Sequence, residues 1–168
     1  QVTASATGPI SLGAHRAGVH LVQAREQLDS LRQGLVGPAL VDGLASALGR
    51  IASAATVRVD LDAPEAPLAD LPVDTATTAY FVAAEAVTNA VKHSGAARIG
   101  LTAHRSDGHI ELTVLDNGKG GAVAEAGGGL AGVRERVIEA GGTVDITSPA
   151  HGGTEVRVVL PVNGAGAR

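Results

Sequence analysis

Four polar side chains in one short stretch have the types and spacing to act together. In Glu85-Ala-Val-Thr-Asn89-Ala-Val-Lys92-His93, they fall at i, i+4, i+7 and i+8, on a single face of an α-helix. Such a row is either a solvated helix face or a wall that binds phosphate and metal. The rest of the segment is nearly all Ala and Val, which a surface helix seldom shows, and Asn is a weak helix former. Both points favour the second reading. Mg²⁺ takes oxygen ligands and usually accepts few from protein. The amide oxygen of Asn89 can be one of them.

A second segment, Asp116-Asn-Gly118-Lys-Gly120, stands where an alternating strand ends. It is a plain glycine turn or the receptor for a base. A buried Asp116 carboxylate would accept a hydrogen bond from the exocyclic amine of adenine. Guanine carries a carbonyl oxygen there, so two acceptors would repel and ATP would be chosen over GTP. Gly118 and Gly120 would let backbone approach the ligand without a Cβ. The third segment, Gly127-Gly128-Gly129-Leu130-Ala-Gly132, leads into a helix whose first N–H groups favour phosphate. It also fits G-x-G-x-x-G. That dinucleotide pattern needs a strand immediately before it, and here a long Gly/Ala loop intervenes. A P-loop is absent, because neither Lys92 nor Lys119 is followed by Ser or Thr. His15, His20, His104, His109 and His151 show no metal-ligand clustering and read as surface residues.

These segments need elements to hold them. Apolar stripes predict helices from about Ala17 to Arg32 and around Val41, Leu44, Leu48 and Ile51. Thr56 to Leu61 alternates like a half-buried strand, and Pro64, Pro67 and Pro72 then mark a loop. Asp74 to His93 is the clearest helix, with Asp74 as its expected N-cap. Arg98–His104 and His109–Leu115 read as strands joined by a Ser-Asp-Gly hairpin turn. A helix from Leu130 to Ala140 ends at Gly141-Gly142. Thr143–Thr147 and Glu155–Leu160 are the last strands, with Gly152-Gly153 between them. The order predicts an α/β (α+β) two-layer sandwich with a mixed, mostly antiparallel sheet and helices on one face. The gly/ala-rich stretch 121–128 has almost no anchoring side chain and is expected to act as a lid.

The composition narrows the class. The chain has 168 residues, one Phe, one Tyr and no Trp, Met or Cys. Its core must therefore be built from Ala, Val, Leu and Ile, and disulfides and cysteine metal sites are excluded. A net charge of −4 argues against a general nucleic-acid binder. No apolar run reaches membrane-spanning length and no signal sequence is visible, so a cytoplasmic location is expected. A start at Gln1 rather than Met is expected of a piece cut from a longer chain.

Together the motifs resemble the histidine kinase, Hsp90, gyrase and MutL ATPase superfamily. Glu85 to His93 looks like its N box, Asp116 to Gly120 like its G1 box, and Gly127 to Gly132 like its G2 box. Gly152-Gly153-Thr154 looks like the late Gly-Thr motif. The wording is most similar to sensor kinases that pair with LuxR/NarL-type response regulators, and it spans roughly residues 25–162. The resemblance implies a Bergerat-type fold over residues 31–162, with a C-terminal tail at 163–168. Residues 1–30 would be a tail and helix, a candidate remnant of the dimerisation hairpin. It implies a catalytic ATP-binding domain in which Asn89 binds Mg²⁺ and Asp116 binds adenine with help from Thr154. Lys92 and His93 would contact phosphates, and Gly118, Gly120, Gly127, Gly128, Gly129, Leu130 and Gly132 would shape the lid. Glu85 and Asn89 are the candidates for the chemical step. The implied partners are a dimerisation and phosphoacceptor domain and a response regulator. The parent would be a homodimer, with or without a membrane anchor, and this piece monomeric. No histidine here is followed by an acid, as the family's phosphoacceptor is, so the chain alone is not expected to autophosphorylate. Two other readings fit the motifs. One is a hydrolysing ATPase or anti-sigma-type serine kinase with Glu85 activating water. The other is a non-catalytic nucleotide-binding module.

Overall fold

The computed structural model describes residues 39–122 and 129–162. The expected tail and first helix, Gly127, Gly128 and most of the 121–128 stretch lie outside these residues. The described residues belong to one compact unit. Its elements are α1 (Gly43–Ala54), β1 (Arg58–Asp62), α2 (Glu65–Leu68), α3 (Val73–Asn89), β2 (Arg98–Ser106), β3 (His109–Asp116), α4 (Gly129–Glu139), β4 (Thr143–Thr147) and β5 (Thr154–Pro161).

The five strands form one mixed sheet in the order β1-β2-β3-β5-β4. Only the β1–β2 pair is parallel; the other three pairs are antiparallel. The period-2 pattern of each strand decides which face is covered. Ile99, Leu101 and Ala103 of β2, Ile110, Leu112 and Val114 of β3, and Val156, Val158 and Leu160 of β5 all turn inward and are buried. Leu44 and Leu48 of α1, the Ala79-Val82-Ala83-Ala86 stripe of α3, and Val133 and Val137 of α4 complete the core. This is the Ala/Val/Leu/Ile core that the composition required. Small Ala side chains let α3 sit close on the sheet, which is how a core without large rings reaches normal density. Phe81 and Tyr80 pack edge to face at 6.0 Å outside the buried set, and the Arg136 guanidinium lies 4.7 Å from the Phe81 ring centre.

Local chemistry sets the joints. The β2–β3 turn has Asp107 at φ 49 and Gly108 at φ 77, the two positive-φ positions that a two-residue Asp-Gly hairpin calls for. Gly141, also at positive φ, ends α4, with its N–H donating to the Ile138 carbonyl and that of Gly142 to the Val137 carbonyl. Two expectations need correction. Asp74 is not the N-cap of α3: Pro72 holds that position in extended conformation, with no side-chain cap. Pro72 pre-sets the backbone for entry, and Asp74 falls in the first turn, where its charge favours the positive end of the helix. The proline-marked loop is also not wholly irregular. It contains the short α2, which buries Leu68 to 1 % exposure.

At the sheet edge, Asp60 of β1 pairs with Arg98 of β2 and with Arg58, the latter at 2.9 Å. The Arg98 and Arg58 guanidiniums hold the Asp60 carboxyl below its ordinary value. A lowered carboxyl contributes stability above its unfolded-state pKa and loses it as pH falls through the folded one. Asp60→Asn should therefore be less stable than the parent at neutral pH, and the two should converge in acid. Urea unfolding across pH checks this, and parallel curves would show that the cluster contributes nothing.

Candidate functional site

The C-terminal ends of β3 and α3 lie at the same end of the described unit. Between them is a cavity of about 430 Å³, within the range of small-ligand sites. One wall is α3 and its continuation, through Ala86, Asn89, Ala90, His93 and Ser94. The floor is the sheet, through Val114, Asp116, Thr154 and Val156. Lys119 to Ala122 close one side, and Gly129 and Leu130 at the start of α4 close another.

The helical wall owes its shape to a change of pitch. After Asn89 the chain makes one π-helical turn, Ala90–Ser94, closed by Gly95 at φ 66. A π turn widens the hydrogen-bond step and re-phases the side chains that follow. Ser94 fastens it. Its hydroxyl donates to the Ala90 carbonyl at 2.7 Å and accepts from the Ala96 N–H at 3.0 Å. Thus Asn89 and His93 line the cavity, whereas Lys92 is exposed and is not among the lining residues. The straight-helix reading had placed all four polar groups on one face. Glu85 is half-buried and also stands behind the lining. It accepts a 3.4 Å hydrogen bond from the Asn89 amide nitrogen, which leaves the Asn89 Oδ1 as the acceptor for a ligand.

The sheet floor centres on the last rung of β3 and β5, where Asp116 is the cross-strand partner of Thr154. Asp116 is only 4 % exposed. One of its oxygens accepts the Gly118 N–H at 2.7 Å, a local turn that leaves the second oxygen able to take another donor. Asn117 turns the other way. Its side-chain oxygen accepts from the N–H groups of Ala97 and Arg98 at 3.0 and 2.9 Å, binding the turn to the start of β2.

The glycines are there for close approach. A Cβ on Gly118 would stand 2.4 Å from the Ser94 carbonyl oxygen, so this residue braces the π turn and is not itself in the lining. A Cβ on Gly120, at φ 63, would stand 1.9 Å from the Pro149 carbonyl oxygen, and one on Gly153, at φ 76, 2.0 Å from that of Asp116. Gly129 abuts the pair on α3: a Cβ there would meet a Glu85 carboxylate oxygen at 1.8 Å and the Asn89 amide nitrogen at 3.1 Å. Gly132 lies beyond the cavity, in the first turn of α4, in open space. Three polar residues that motif reading did not single out also shape the site: Ser94, Asn117 and Ser148. Ser94 lies just past the Glu85–His93 motif, and Ser148 sits in the β4–β5 connection, where Gly152-Gly153 gave the turn signal and Ser148 none.

The family described as "Histidine kinase-, DNA gyrase B-, and HSP90-like ATPase" matches residues 74–164, a span that contains both walls of the cavity. The chain belongs to this ATPase family. It is 36 % identical over 100 residues to the sensor histidine kinase YdfH of Bacillus subtilis, covering 56 % of this chain and 25 % of that one. It is 34 % identical over 87 residues to the sensor protein VraS of Staphylococcus aureus, covering 50 % and 25 %. The chain thus matches about a quarter of the length of these curated relatives. Among solved structures, the histidine kinase domain of the Erythrobacter litoralis EL346 blue-light activated kinase superposes with a TM-score of 0.61 at 28 % identity, covering 71 % of this chain and 61 % of that one. The ATP-binding domain of PrrB from Mycobacterium tuberculosis gives 0.54 at 27 % identity, covering 70 % and 92 %. The described residues thus carry the fold of this ATPase family's domain.

Gly120→Ala should lower the stability of the domain by at least about 1–2 kcal/mol, the cost of a Cβ in left-handed backbone, with the Pro149 contact adding to it. Denaturant unfolding reads this. A fully stable variant would mean that the loop repacks without loss.

Proposed function

We propose that this chain is the catalytic domain of a two-component sensor histidine kinase, which presents the γ-phosphate of ATP to a histidine on a dimerisation domain of the parent protein. The observation that carries the reading is the pairing of two different walls across one cavity. A buried carboxylate and a hydroxyl stand on the sheet, and an amide and an imidazole stand on the helix. The sheet wall suits a purine edge and the helix wall suits a metal-bridged phosphate chain. Val114 and Val156 lie at the floor beside Asp116 and Thr154, giving apolar surface for a planar base.

Asn89 would supply one oxygen to Mg²⁺. Among the described residues there is no group of three or more His, Cys, Asp or Glu side chains fit to hold a metal. A single amide oxygen fits an ion that takes its remaining ligands from phosphates and water. When bound, Mg²⁺ offsets the charge that gathers on the phosphates during transfer. His93 and Lys119 reach the cavity as candidate phosphate contacts. Lys92 would join them only by extending from the rim. Glu85 is held by Asn89 and Gly129 behind the lining, which supports a role in orienting the Asn89 amide over one in activating water. This favours a kinase that hands its phosphate to a docked acceptor over a hydrolysing ATPase. The partner implied is a phosphoacceptor helical hairpin, with a response regulator of the LuxR/NarL type downstream. No helix among the described residues is long and apolar enough to cross a membrane, and a cytoplasmic position would give the domain access to ATP.

Asp116→Asn should weaken ATP binding by about 1–3 kcal/mol, the range for a lost charge-assisted hydrogen bond, as read by titration calorimetry. Normal affinity would remove Asp116 as the base receptor. Asn89→Ala should lose the Mg²⁺-dependent part of ATP binding while keeping its preference for ATP over GTP. An equal loss of affinity in Mg²⁺ and in EDTA would refute the metal role.

A further inference from the structure

Ser148 sits just outside the cavity, in the connection from β4 to β5, and is not among its lining residues. Its hydroxyl is nonetheless the meeting point of three bonds. It accepts the Ala122 N–H at 2.9 Å, lies 2.9 Å from the Thr154 hydroxyl and 3.4 Å from the Gly153 carbonyl oxygen. Its carbonyl accepts the Gly121 N–H at 3.1 Å.

A serine hydroxyl has one proton to give. If Thr154 donated to Ser148, the Ser148 proton would have, among the described residues, only the Gly153 carbonyl, and 3.4 Å exceeds the normal O–H···O range of about 2.5–3.0 Å. If Ser148 donates to Thr154, its proton takes the 2.9 Å partner and its lone pair takes Ala122. The Thr154 oxygen is then an acceptor on the Ser148 side, and its own proton is free to turn into the cavity that Thr154 lines.

We infer that Ser148 fixes the direction of the Thr154 hydroxyl proton and so acts as a positioning residue for base selection. Rested on the nucleotide reading above, this gives the sheet wall a defined polarity. Asp116 accepts, and its rung partner Thr154 donates. Adenine presents the complement along its edge, an amine donor at position 6 beside an acceptor nitrogen at position 1. Guanine presents the reverse, a carbonyl at position 6 beside an N–H at position 1. One carboxylate rejects guanine at a single point. A carboxylate and a directed hydroxyl facing the base edge reject it at two.

The test is competition binding of ATP and GTP, with Mg²⁺, to the full 168-residue chain and its variants. Ser148→Ala should reduce the preference for ATP over GTP by about three- to tenfold, the worth of one directed hydrogen bond. Ser148→Cys, nearly isosteric but a poor donor, should shift the preference in the same direction and serves if the alanine variant does not fold. In a Thr154→Val background, which has no hydroxyl to direct, Ser148→Ala should change the preference by less than about twofold. An unchanged preference in Ser148→Ala and Ser148→Cys overturns the inference. So does an equal shift in the Thr154→Val background, because Ser148 would then act only by holding Ala122. A parent chain that binds neither nucleotide would instead overturn the nucleotide reading itself.

Discussion

The antiparallel pairing of β3 with β5 is the interaction on which the rest of this structure depends. Its eight rungs run from His109 opposite Pro161 to Asp116 opposite Thr154. One end-rung joins the two polar groups of the sheet wall. The alternation of the same strands sends Val114 and Val156 down into the core beside that wall. A slip of one residue would turn Asp116 to the open face and bury Leu115, which is now half-exposed. The register that makes the core thus also places the carboxylate, and selection on either property preserves both.

The second constraint is closeness. With almost no aromatic volume available, the helix layer must lie near the sheet, and the alanine stripe of α3 makes that distance attainable. The same economy of side chain recurs around the cavity. Gly118 against Ser94, Gly153 against Asp116 and Gly129 against Glu85 are all contacts that one added carbon would break. The lining side chains are thus braced from behind by close backbone contacts, a frame that cannot easily shift. The π turn after Asn89 belongs to this frame, because Gly118 and the Lys119 N–H, which donates to the Ser94 carbonyl at 2.9 Å, clamp it from the opposite loop.

Much of this was legible in the sequence. All five strands were legible, two of them by period-2 alternation, and the Ser-Asp-Gly run marked the hairpin turn, because these signals are local. The site's two walls were also legible, since Asn89 and Asp116 stand in motifs with distinctive neighbours. What escaped had non-local causes. The departure from straight-helix phase after Asn89 arises because Ser94 and Gly118 meet across the fold, so the differing places of Lys92 and His93 could not follow from spacing. The N-cap of α3 was misassigned because Asp74 is a better cap by type than Pro72, while the chain's entry geometry chose the proline. Ser148 carries no motif signature at all. Its importance comes from the convergence of the loop after β3 with the β4–β5 connection, two segments far apart in the chain.

The tight turn at Asp107 and Gly108 stands at the opposite end of β3 from Asp116, seven residue steps away. At the usual rise of an antiparallel strand, that is about 24 Å. Along β3 the candidate site thus stands at one end and the tight turn, whose Gly108 carbonyl accepts the Val162 N–H at 2.8 Å, at the other. Chain added or a fluorophore attached at that far end would stand well clear of the candidate site. The hairpin is thus a natural handle for tethering or labelling the domain while the cavity end is left clear.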